Sequence, residues 1–103
     1  MTNETIQVAI IMGSDSDLPI VEVIFPILDS FGVKYTKNVM SAHRTPHDVM
    51  QLIKDSENKG CKVFIAAAGM AAHLAGAVAA HSSRPVIGIP VSYTHLRAHE
   101  THR

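Results

Sequence analysis

The chain has 103 residues, 47% hydrophobic and 17% charged, which predicts one globular domain rather than a disordered segment. Its formal net charge of +0 gives no overall field to draw it to nucleic acid or an anionic membrane. One cysteine, a polar start (MTNETIQ) and no apolar run near the ~20 residues that span a bilayer exclude an internal disulfide, a signal core and a membrane helix, and predict a soluble cytoplasmic protein.

Residues 7–12 (QVAIIM) form a short apolar run rich in β-branched side chains, the pattern of a strand buried on both faces of a parallel sheet. Small polar turn formers follow at residues 13–17 (GSDSD). Residues 18–32 read as a helix that Asp17 caps, Pro19 starts and Gly32 ends, with Pro26 expected to kink or shorten it. Alternation at residues 33–40 predicts a second strand. Thr45, Pro46 and Asp48 form a helix start, and Val49, Leu52, Ile53 and Ser56 keep helical spacing up to Gly60. Residues 62–68 predict a third strand, residues 69–81 a loop running into a closely packed helix, and residues 85–91 a fourth buried strand.

The order βαβαβαβ with short connections implies parallel strands and right-handed crossovers. The expected fold is α/β, a three-layer α/β/α sandwich of flavodoxin-like or Rossmann-like type. Ligands of such sheets bind beyond the carboxyl ends of the strands. That rule gathers residues 13–17, 41–44 and 67–73 into one place.

The residues there have distinct chemistries. Backbone N–H groups and hydroxyls at residues 13–17 suit an anion, whereas an Asp suits sugar hydroxyls. Asp15 and Ser16 read as turn residues, and Ser14 and Asp17 are balanced between capping and binding. The glycine pattern matches neither a dinucleotide fingerprint nor a P-loop. Arg44 offers a fork for phosphate, and His43 is easily tuned to exchange protons near neutral pH. Gly69 allows a planar ligand to approach the backbone. His73 reads as a packing or capping residue that could assist the ligand, His47 and His81 as surface residues, and Cys61 as inert. His95, His99 and His102 lack the further ligand and buried surroundings of a zinc site, so no metal site is expected.

Three motifs in this order, MGSDSDLP, SAHRTP and AGMAAHLAGAVAA followed by PVIGIPV, resemble the 5-(carboxyamino)imidazole ribonucleotide mutases, the bacterial-type, class I members (PurE-like) of the AIR carboxylase family. The resemblance covers residues 7–91. It implies a doubly wound α/β fold assembled as a homo-octamer. It implies migration of a carboxylate from the exocyclic nitrogen of an aminoimidazole ribonucleotide to ring carbon C4 in purine biosynthesis, with no metal, ATP or biotin. Carried over residue by residue, it makes Ser14, Ser41 and Arg44 holders of the 5′-phosphate, Asp17 a holder of ribose hydroxyls and His43 the proton shuttle. Gly69, Met70 and Ala71 would wrap the base, with His73 a possible assistant.

The chain departs from that pattern in places. Met70 and Ala75 stand where many relatives have Gly and Pro, and SAHRTP differs from the animal-type motif of enzymes that take carbon dioxide directly. The final YTHLRAHETHR resembles nothing in the family. Residues 1–91 are therefore expected to be the amino-terminal part of a single domain, and residues 92–103 a non-native or disordered tail joined to a truncated gene. Two other readings stand beside the enzyme: a noncatalytic nucleotide- or phosphate-binding module of flavodoxin-like fold, and an inactive fragment of the enzyme.

Overall fold

A computed structural model of the chain describes residues 5–40, 46–69 and 71–91, with only the backbone described at residues 46, 71 and 72. The first apolar run forms β1 (Val8–Met12), buried along its whole length. β2 (Tyr35–Val39), β3 (Val63–Ala68) and β4 (Val86–Pro90) join it in one parallel sheet of order β2-β1-β3-β4. Val8 lies opposite both Tyr35 and Val63, and Met12 opposite Val39 and Ala67. In this register the strands finish along one edge of the sheet.

Four helices connect the strands: α1 (Leu18–Val21), α2 (Ile24–Ser30), α3 (Pro46–Asn58) and α4 (Ala71–Ala80). Val49 and Ile53 of α3, with Leu74 and Val78 of α4, cover Ala9, Ile11, Phe64 and Ala66. Val21, Ile24, Phe25 and Leu28 pack on the opposite face against Val8, Ile10, Met12, Ile65 and Ala67. The side that each helix takes follows from right-handed crossovers: the step from β1 to β2 runs one way across the sheet, and the steps from β2 to β3 and β3 to β4 run the other. Burial of each large apolar side chain contributes about 1.5–3 kcal/mol, so both faces bind the layers together.

Two sequence expectations are refined. The helix expected over residues 18–32 is a 3-10 turn (Asp15–Asp17) followed by α1 and α2, interrupted at residues 22 and 23. Pro26 accounts for the break. Its ring would clash with the carbonyl four residues earlier, that of Glu22, and it has no N–H to give it. The Glu22 carbonyl instead accepts the Phe25 N–H at 3.2 Å. The strand expected at residues 85–91 to be buried is the edge strand β4, and Ile87 is 52% exposed. α2 also leaves Val23, Ile27 and Phe31 exposed on its outer side.

Gly32 and Gly60 end α2 and α3 in the left-handed region, at φ 70° and 95°. After α2, the Val33 N–H donates to Leu28 and the Gly32 N–H to Asp29. After α3, the Cys61 N–H donates to Ser56 and the Gly60 N–H to Glu57. Each pair is a Schellman closure that satisfies two otherwise orphaned carbonyls. The chain then turns directly into the next strand.

At the amino edge of the sheet, the Ser82 hydroxyl donates to the Glu57 carboxylate. Arg84 Nε donates to the Cys61 carbonyl at 3.1 Å. These bonds tie the end of α3 to the approach to β4, at the end of the sheet remote from the strand termini discussed below. Burial pushes the Cys61 thiol upward, and its S–H donates to the Val63 carbonyl at 3.3 Å.

Gly32→Ala is expected to cost roughly 1–2 kcal/mol through backbone conformation alone, because the space beside Gly32 is open. Gly60→Ala should cost more, since its methyl group would also meet Thr5 Cγ2 at 3.1 Å. Urea midpoints of the two variants test this order, and an unchanged midpoint for Gly32→Ala would contradict it. Cys61 should react with a thiol reagent far more slowly in the folded chain than in urea. Because its folded thiol titrates above the ordinary thiol range, the stability it contributes is present below about pH 8.5 and falls as pH rises beyond that value. A Cys61→Ser variant with the same alkaline stability profile as the parent would disprove this contribution.

Candidate active site

The winding of the sheet reverses between β1 and β3. The chain leaves β1 toward β2 on one side, and leaves β3 toward β4 on the other. The connections therefore diverge at the carboxyl ends of these two neighbouring strands and open a crevice between them, the usual ligand position in doubly wound folds. Residues 13–17 follow β1, and Gly69 follows β3.

The two strand ends meet closely. The Gly13 N–H donates to the Ala67 carbonyl at 2.9 Å, which extends the pairing one residue beyond β1. A methyl group on Gly13 would lie 3.0 Å from Ala68 Cβ, so a side chain there would force the strand ends apart. On the other side, the Val91 N–H donates to the Ala68 carbonyl at 2.9 Å, and the Val91 carbonyl would lie 3.2 Å from a methyl group on Gly69. Gly69 is exposed, with backbone open to an approaching flat group.

Ser14, in extended conformation (φ −157°, ψ 155°), caps the 3-10 turn. Its hydroxyl accepts the Ser16 N–H at 3.2 Å and shares a 2.8 Å hydrogen bond with the Ser16 hydroxyl. Its own N–H donates to Asp17 Oδ2 at 3.0 Å. This reciprocal capping box corrects the expectation that Asp17 caps the following helix: Asp17 makes no side-chain cap to α1, and its carboxylate turns back to Ser14. The signal was present in the sequence, as Ser14-x-x-Asp17 with an acid in place of the usual Glu or Gln. Asp17 is only 3% exposed, and among the described residues no buried side-chain nitrogen or oxygen lacks a partner. Ser14 and Ser16 are exposed, so the turn presents two linked hydroxyls at the mouth of the crevice. Ser16, read from the sequence as a turn residue, lies in that turn and hydrogen-bonds to Ser14.

The other site residues enter this frame to different degrees. The Met40 N–H donates to the Met12 carbonyl at 2.7 Å, which holds the end of β2 beside the end of β1. Ser41, His43 and Arg44, between that point and α3, lie outside the described residues, as do Met70 and residues 92–103. Ala71 opens α4, and His73 lies exposed in its first turn. His47 and His81 are also exposed. Among the described residues, no group of three or more His, Cys, Asp or Glu side chains is arranged to hold a metal ion, and no helix is long and apolar enough to cross a membrane.

Comparison with known proteins adds a second line of evidence. A family model described as AIR carboxylase matches residues 7–101. The chain is 49% identical over 90 residues to the N5-carboxyaminoimidazole ribonucleotide mutase of Thermotoga maritima, spanning 87% of this chain and 53% of the relative. It is 52% identical over 84 residues to the phosphoribosylaminoimidazole carboxylase of Candida albicans, spanning 82% of this chain and 15% of the relative. The crystal structure of Treponema denticola PurE superposes with a TM-score of 0.76 at 28% identity, covering 94% of this chain and 65% of that one. The chain thus spans about half the length of the curated mutases it matches.

The capping box sets a measurable order of stability. Asp17→Ala leaves the Ser14 N–H without its acceptor and is expected to cost about 1–3 kcal/mol. Asp17→Asn keeps an acceptor oxygen and should lose less. Equal urea midpoints for Asp17→Ala and the parent chain would show that the bond does not support the turn.

Proposed function

The chain belongs to the AIR carboxylase family, and from that premise we propose that its protein is a 5-(carboxyamino)imidazole ribonucleotide mutase of de novo purine (IMP) biosynthesis. The observation that carries this reading is the 49% identity, over 87% of the chain, to a relative named for that activity. Residues 1–91 would supply the amino-terminal part of its single domain, and the family match runs on to residue 101. The intact protein would work in the cytoplasm as a homo-octamer, without cofactor.

In this proposal the exposed hydroxyl of Ser14 joins Ser41 and Arg44 on the 5′-phosphate, where a guanidinium supplies two parallel charge-assisted bonds. Asp17 takes the ribose hydroxyls. Gly69, Met70 and Ala71 lie along the base and exclude water, with His73 beside them. The substrate carbamate releases carbon dioxide as its N–C bond breaks, and the electron pair stays on nitrogen, which takes up a proton. The electron-rich ring then attacks carbon dioxide through C4, forming the new C–C bond. C4 at that moment carries both hydrogen and carboxylate, and loss of the proton restores aromaticity. His43 donates the first proton and accepts the second, so the reaction is balanced with no outside acid or base.

A second reading has its own support, since the Candida albicans relative is named a carboxylase. Carboxylation of the free aminoimidazole ribonucleotide by dissolved carbon dioxide would need the same C4 attack and the same proton removal. Only the source of the carboxylate differs.

Incubation with the carbamate substrate, followed by assay of the C4-carboxylated nucleotide, separates these readings. The mutase should form product from the carbamate without added bicarbonate. His43→Asn should lower turnover by roughly 10²–10⁴-fold while nucleotide binding persists. Arg44→Ala should weaken nucleotide binding by roughly 100-fold or more, the loss of two charge-assisted hydrogen bonds. Product formed only from the free amine and bicarbonate would favour the carboxylase. Binding without turnover would favour a noncatalytic module, and no binding an inactive fragment.

A further inference from the structure

We draw no further inference here: the strongest candidate, the exposed apolar patch of Val23, Ile27 and Phe31 on the outer side of α2, carries nothing because the structure does not show what covers it.

Discussion

The handedness of the crossover connections is the constraint on which the rest of the structure depends. Right-handed connections running in both directions from the centre of a parallel sheet must place α1 and α2 on one face and α3 and α4 on the other. The same geometry parts the connections at the ends of β1 and β3. The core and the candidate site are thus two results of one winding. The apolar sequences of β1 and β3 follow as well, because the central strands must be covered on both faces.

Within that frame the site is built from close backbone approach. Gly13 lets β1 continue its pairing with β3 and touch Ala68, while Gly69 passes close to the Val91 carbonyl. Small residues at these positions bring three strand ends together. Ser14 and Asp17 then close a turn whose backbone needs are met internally, so the exposed hydroxyls of Ser14 and Ser16 stand on a supported edge. Asp17 is as much a structural residue as a candidate ligand. Its buried carboxylate stiffens the turn that, in the proposed function, meets the nucleotide.

Much of this was legible in the sequence because the signals were local and consistent. Apolar runs marked β1, β3 and β4, alternation marked β2, and Gly32 and Gly60 marked helix ends that the structure closes with left-handed glycines. The spacing of Val49, Ile53 and Ser56 marked the buried face of α3. What the sequence hid was relational. The exposure of β4 depends on its place at the sheet edge, and the run PVIGIPV reads the same at an edge as at the centre. Pro26 announced a break, but its position comes from the carbonyl four residues earlier rather than from the proline itself. At the site, Ser14 and Asp17 were visible as polar turn residues, but which of them caps which helix depends on the backbone angles of the 3-10 turn. The hydrogen bond between the Ser14 and Ser16 hydroxyls depends on an oxygen–oxygen distance that no spacing rule supplies. The roles of His43 and Arg44 rest on their motif and the family relationship.

The central claim is that a nucleotide binds where the winding reverses, beyond the carboxyl ends of β1 and β3. Its most direct test is to titrate the ¹⁵N-labelled chain with 4-carboxy-5-aminoimidazole ribonucleotide and map the backbone amide shifts. The account predicts the largest shifts at Gly13, Ser14, Asp17 and Gly69, with little change at Lys59, Cys61 and Arg84 on the opposite edge. Shifts concentrated at that opposite edge, or none at saturating nucleotide, would contradict it.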